Sequence, residues 1–513
     1  MGPLRGPTPT LTSRHNLVAN NGFTATGEVN AIGAKIGGDV SLIGATFTNP
    51  DSDALSLDGA TITGDLLANN GFTATGEVTA TGAKIGGDVS LTGATFTNPD
   101  GDALCLDSTT ITGNLFAESA FTATGKVRAV AAKIGGMVSL TGATFTNPDG
   151  DALNLSAATI SGDLFADDGL TATGKVHATG AKIGGMVSLT GATFTNPADD
   201  ALNLSAATIS GDLFADDGFT ATGRVNAIGA KIGGELSLIG SRLINLNGAA
   251  LDLESSVLTT LRLQPAHVDG SIDLTRATIT DLRAPSEALP PGRLIATGWQ
   301  VTDIHGLIRS DRRAAAQWLK STPAEHGFTA QPWHALATVY DRNGQPADAR
   351  RLRFAAANQT TKHAPYATKL LRWVYMAVAG HGYYPLLAAV WLAGALLLGV
   401  LITAGNTEHF TPTDRVTANR AATTYADETH TPAPKSITAA DSCTRYPDYP
   451  CFNAFNYALA GVVPAATGVT KADWTISSTA PTALTLSIPG LRILAWIFTA
   501  ILLAGVTGLL RKG

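Results

Sequence analysis

The chain has 513 residues, a formal net charge of −6, 15% charged residues and 55 glycines. This balance excludes a basic nucleic-acid binder and a charge-rich disordered chain, and the length accommodates several domains. The three cysteines, Cys105, Cys443 and Cys451, are too few for a disulfide framework and show no metal-ligand spacing.

In chain order, Met1–Arg5 opens without an apolar run, so no signal peptide is expected. Residues 1–22 read as a polar lead-in with no convincing cap. Phe23–Thr24–Ala25–Thr26–Gly27 then recurs, nearly unchanged, at Phe72, Phe121, Leu170 and Phe219, each 49 residues after the last. A fixed period of this kind marks a repeat array. Inside each unit a small or apolar residue is followed two places on by a large apolar one, and then by turn residues: Ala83-x-Ile85, Val89-x-Leu91, Ala94-x-Phe96. Period-two runs this short suit a chain that turns a corner every five or six residues.

The expected fold is therefore mainly β: a right-handed β-solenoid over 23–284, with two coils of roughly 22 and 27 residues per repeat and about eleven coils in all. Four faces per coil fit the rhythm best, with three as the alternative. The longer coil carries Asn98–Pro99–Asp100–Gly101–Asp102 as a bulging corner. The pattern of a small residue two places before a large apolar one resembles the quasi-repeat of pentapeptide-repeat and other right-handed β-helix proteins.

Residues 285–308 read as an irregular linker whose later part, from Ile295, is a last piece of the β layer. Residues 309–382 read as a helical hairpin and juxtamembrane segment, with Ser310 at the first N-cap and a turn at Asn343–Gly344. The hairpin is similar to a single tetratricopeptide-type unit and is expected to be a structural joint. Residues 383–404 contain twenty uncharged residues, and 493–510 are another uncharged run; both are long enough to cross a bilayer. Lys362, Lys369 and Arg372 before the first run, with Arg511 and Lys512 after the second, put the solenoid and the C-terminus (511–513) in the cytoplasm. Arg492 argues mildly against this. The intervening 405–492 is then extracytoplasmic. Its first part is expected to be irregular, a short helix is expected over 452–463, and a disulfide joins Cys443 to Cys451. A pore built from span, short helix and span is a weaker alternative, because no Thr-x-Gly-Tyr-Gly filter follows.

No catalytic, cofactor-binding or metal-ligating set is legible. Gly82-x-x-x-Gly86-Gly87 lacks the spacing of a nucleotide loop and leads into another strand, so its glycines read as corners. The acids of Asn98–Asp102 and its copies read as turn residues, with stacked calcium ligation as the alternative. Lys35, Lys84, Lys133, Lys182 and Lys231 recur at one repeat position and form a basic stripe, either solvated or facing anionic lipid or an acidic partner.

Taken together, several features resemble an actinobacterial family labelled membrane-associated oxidoreductase. These are the Gly-Ala-x-Ile-Gly-Gly-x-x-Ser-Leu repeats, the Pro332–Leu352 hairpin, the Tyr383–Tyr384–Pro385 entry to the first apolar run, and Phe452–Pro464. The label implies a cofactor site, but no residue here supplies one, so no cofactor is expected. The function expected is a binding or scaffolding module anchored at the inner membrane face. Its partners are the bilayer and an unidentified protein, with no nucleic acid. Enzyme and solenoid-gated channel are the alternatives.

Overall fold

In the computed structural model, which describes residues 11–432, 436–445, 448–466 and 473–507, the chain divides into two units, Met1–Ala356 and Ala357–Gly513. The first unit is a parallel β-solenoid of about 13 turns followed by helices. Thr46 pairs with Thr73 and Thr73 with Thr95, steps of 27 and 22 residues, so each 49-residue repeat is two coils. Four columns of short strands run up the stack. In neighbouring coils they pair Ala74 with Phe96, Val78 with Leu104, Ile85 with Ile111, and Val89 with Leu115.

The two coil types are complementary in side-chain size. One reads Phe72-Thr-Ala74 and the next Ala94-Thr-Phe96, in register, so every large ring lies over a small residue of the adjoining coil. The rings zigzag from Phe23 through Phe145 with centroids 5.4–5.7 Å apart. Tilted contacts at this separation are favourable beyond their burial. Leu170 interrupts the row, and an apolar void of about 30 Å³ opens there between Phe145 and Phe194.

The corners explain the glycines. Asp65 accepts a hydrogen bond from the Asp88 amide (2.8 Å), Asp88 from the Asn114 amide (2.7 Å), and Asn114 from the Met137 amide (2.9 Å). Each side chain reaches across the glycine of the next coil. A Cβ on Gly87 or Gly136 would fall on the reaching oxygen of Asp65 or Asn114. The Asn-Pro bulge is closed in every repeat by its own asparagine, Asn98 donating to the Asp102 carbonyl at 2.8 Å. Asn49, Asn147, Asn196 and Asn245 do the same. The Gly of Phe-Thr-Ala-Thr-Gly passes beside this bulge with positive φ, 102° at Gly76 and 109° at Gly125.

The pairing extends further at both ends than the expected 23–284. Thr12–Ser13 and Leu17–Val18 pair with Lys35–Ile36 and Val40–Ser41. Arg293–Ile295 and Gln300–His305 complete a last coil, so the stretch expected as a linker is part of the sheet. Helices α1 (Leu307–Ser310), α2 (Arg312–Leu319) and α3 (Gln331–Arg342) close that end, followed by α4 (Pro346–Lys362). Trp299, Trp318, Trp333 and Tyr340 are buried there in a core continuous with the solenoid. This covers the open edge that a stacked array must protect. The cap of α2 is Asp311, which accepts from the Arg313 amide at 2.7 Å, and not Ser310. The turn at Asn343–Gly344 lies between α3 and α4, as the hairpin reading requires.

The second unit contains α5 (Tyr366–Ala379), α6 (Leu387–Ala404), α7 (Arg415–Thr429), α8 (Ala454–Val462) and α9 (Thr482–Val506). Helices α6 and α9 are long and apolar enough to cross a membrane. The α9 helix starts eleven residues before Ile493 and carries Arg492 within it, so the expected boundary lay too late. Residues 508–513, including Arg511 and Lys512, lie outside the described residues. The stretch expected to be irregular contains α7, capped by Asp414, with Ala418, Ala421, Ala422 and Ala426 buried at helical spacing. A two-stranded ribbon pairs Phe410–Pro412 with Trp474–Ile476 over a core that includes Tyr449 and Phe452.

Candidate functional site

Four features have the chemistry to recognise something. The first is the lysine stripe. Lys35, Lys84, Lys133, Lys182 and Lys231 are all exposed in one column, where they alternate with threonines: Lys84 pairs with Thr61 and Thr110, and Lys133 with Thr110 and Thr159. They stand two coils apart, about 9.6 Å. None of the five makes an ion pair among the described residues.

The second is the charged column beside the bulge. Its later coils are neutralised internally: Asp102 faces Lys126, Asp151 faces Lys175, and Asp200 faces Arg224. At the same repeat position the second repeat has Glu77, which faces Asp53. Burial, then Asp102, Asp53 and Asp58, push the Glu77 carboxyl up to about 7 against the opposing pull of Arg128. Ligand atoms of Glu77, Asp102 and Cys105 lie within 4.8 Å of one another. Two of the three already have protein partners, since Arg128 bonds Asp102 at 2.9 Å and Cys105 lies 3.4 Å from the Thr81 hydroxyl.

The raised Glu77 gives a pH test. The folded state holds its proton up to about pH 7 while the unfolded chain releases it near 4.5. The stability that Glu77 contributes is therefore fully present below about pH 4.5 and is lost as pH rises through about 7. Glu77→Gln is expected to melt a few degrees above the parent at pH 8 and to show no such advantage at pH 4. Thermal melts at the two pH values read this directly, and equal differences would rule it out.

The third feature is a cleft of about 490 Å³ at the end of the solenoid, lined by Arg262, Gln264, Arg283, His305 and residues 284–288, which include Ser286 and the acidic Glu287. The three basic side chains stack in one column, Arg262 paired with Arg283 and Arg283 with His305. Glu235 grips Arg262 at 2.8 Å, Asp281 grips Arg283 at 2.7 Å, and His305 lies 3.1 Å from Asp281. Nothing in the sequence reading anticipated this site. The available signal was a break in the alternation Ser188, Phe214, Ser237, after which the same column reads Arg262, Arg283, His305.

The fourth is in the second unit. Only 22% of α6 and 17% of the α9 stretch Thr482–Gly505 is buried. Leu386, Val390, Trp391, Leu401, Ile493 and Trp496 are all exposed. The buried side is made of small contacts: a Cβ on Gly399 would touch Val462 and Ala458, and one on Gly461 would meet Ile488. Cys443 and Cys451 are both exposed and unbridged, and a hydrogen bond between the two thiols is the main cause that raises the Cys451 pKa.

These features define a β-solenoid protein with two potential membrane helices. No protein-family model, curated protein or solved structure matches the chain.

Proposed function

We propose that this protein is a membrane-anchored β-solenoid that binds or scaffolds a partner at the inner face of the membrane. The observation that carries this reading is the pair of helices α6 and α9, long and apolar enough to cross a membrane, with large apolar side chains such as Val390 and Trp391 on α6 and Ile493 and Trp496 on α9 left exposed. Helix α5, with Leu370, Leu371, Trp373 and Val374 exposed and Lys369 and Arg372 among them, suits the membrane surface. With Lys362 these basic residues favour a cytoplasmic solenoid. The unpaired lysine column is the docking face in this reading, offered to an acidic partner or to anionic lipid heads. The segment between α6 and α9 faces the oxidising side, where Cys443 and Cys451 pass two electrons and two protons to a thiol–disulfide exchange partner and become a disulfide.

The alternatives have less support. The oxidoreductase activity implied by the family resemblance has no observation favouring it. A conducting path between α6, α8 and α9 is disfavoured by the apolar cluster of Ala395, Val462, Leu491 and Ala495 that they share.

Cysteine labelling in intact cells tests the reading. A membrane-impermeant maleimide is expected to modify Cys443 and Cys451 only after reduction, and a cysteine placed at Lys84 only after lysis. Labelling of the Lys84 site in intact cells would end the proposed orientation. Recovery of the protein in the soluble fraction would end the anchor.

A further inference from the structure

We propose that the cleft at the end of the solenoid binds a tetrahedral oxyanion, the phosphate group of a small molecule, between Arg262, Arg283 and His305. The column that supplies these residues alternates serine with a half-buried large apolar side chain over the preceding coils, for example Ser139, Phe165, Ser188, Phe214, Ser237. Coil stacking needs nothing more from that position. In the last three coils it becomes Arg, Arg and His, one above another. Like charges in directly opposed strand positions repel, so this run costs stability in an empty cleft unless something offsets it.

The offset comes from Glu235, Asp281 and Asp303, the last 3.6 Å from His305, and Glu287 also lines the cleft, so it is the leftover N–H groups of the arginines, and not a net positive charge, that an oxyanion would meet. Glu235 accepts from Nη2 of Arg262 at 3.1 Å and lies 2.8 Å from its Nε, a buried nitrogen left without a hydrogen bond. Asp281 takes Nε of Arg283 at 2.7 Å and accepts the approach of His305 at 3.1 Å. Nη1 of Arg262 and both terminal nitrogens of Arg283 have no hydrogen-bond partner among the described residues. Asp281 thus holds Arg283 by its Nε and leaves both of its terminal nitrogens unspent, an arrangement that can take a bidentate acceptor.

The fourth wall is an insertion. Between Arg283 and Arg293 the strand gives way to Ala284–Gly292, with Pro285, Pro290 and Pro291, and the chain rejoins the sheet only at Arg293–Ile295. Residues Ala284 to Ala288, Glu287 among them, close the side of the cleft. Gly306 makes room for it, since a Cβ there would strike the carbonyls of Ala284 and Pro285. The volume suits a small molecule and exceeds what a bare ion needs. Tetrahedral geometry is preferred over planar because the donors come from successive coils about 4.8 Å apart, so they meet one group from different levels.

The test is calorimetric titration of the full chain in detergent with inorganic phosphate and, separately, with glycerol 3-phosphate. At least one is expected to bind saturably. Tighter binding of glycerol 3-phosphate would identify an esterified phosphate as the natural group, and equal binding a free one. Arg283→Gln is expected to weaken the response at least tenfold while the circular dichroism spectrum stays that of the parent. Arg283→Lys, which keeps the charge and loses the fork, should fall between. The proposal is overturned if neither probe binds, if acetate competes equally, or if Arg283→Gln and Arg283→Lys both bind as the parent does.

Discussion

Gly125→Ala is expected to destabilise the solenoid by about 3 kcal/mol or more, and to do so although Gly125 lies in the most regular part of the chain. Its φ is 109°, a region closed to side chains, and an added Cβ would meet the backbone carbonyls of Asn98 and Gly101. Both obstacles are main chain, held in place by the bond from Asn98 to the Asp102 carbonyl, so no rotamer change relieves the clash. Gly82→Ala is the control. It also has positive φ, 64°, but nothing lies within 4 Å of its Cβ. Moreover, the protein already has alanine at the equivalent position of the next repeat, Ala131, with φ 56°. The control is expected to cost about 1 kcal/mol. Urea melts of the two variants separate them, and matching midpoints would show that the bulge yields to the side chain.

The same comparison shows why the solenoid was legible and other parts were not. A period of 49 residues exposes every position five times over, so the roles of Phe, Ala and Gly emerge from recurrence alone. The two-coil repeat, and the bulge on its longer coil, followed from it. Where recurrence ends, so does legibility. Arg262, Arg283 and His305 occupy one column, but their spacing of about 22 residues is hidden by the loss of the Gly-Gly corners that mark earlier coils. Helix α7 was read as irregular because its buried face is made of alanines, which carry almost no hydrophobic contrast against the threonines around them. The start of α9 was set by the charge of Arg492, yet helix formation responds to backbone propensity, and Thr482–Ile488 is compatible with it. Cys443 and Cys451 are brought together locally, where the Phe452 amide donates to the Ser442 hydroxyl at 2.9 Å.

A solenoid held together by neighbour contacts should tolerate removal of a whole repeat and reject removal of half of one. Deleting residues 94–142, which is 49 residues, brings Gly93 to Ala143 and restores the sequence Gly-Ala-Thr-Phe at the junction. Large still faces small, the bulge still meets a glycine, and the variant is expected to fold with a melting temperature a few degrees below the parent. Deleting residues 94–120 removes one coil of 27 residues and joins Gly93 to Phe121. Phe121 would then lie over Phe72 and Ala123 over Ala74, so rings crowd at one level and a gap opens at the next. Crowding costs about 1–3 kcal/mol, and a missing large side chain about 3–5 kcal/mol. Gly76 would also lose half of the bulged neighbours it is shaped to pass. The smaller deletion is therefore expected to be the more damaging one, giving aggregated protein or a melt at least 10 °C lower, on the order of what several kcal/mol produces in a domain of this size. Circular dichroism melts of the two deletion variants decide the matter: equal stability would mean that the coils are interchangeable and that Phe–Ala complementarity does not set their order.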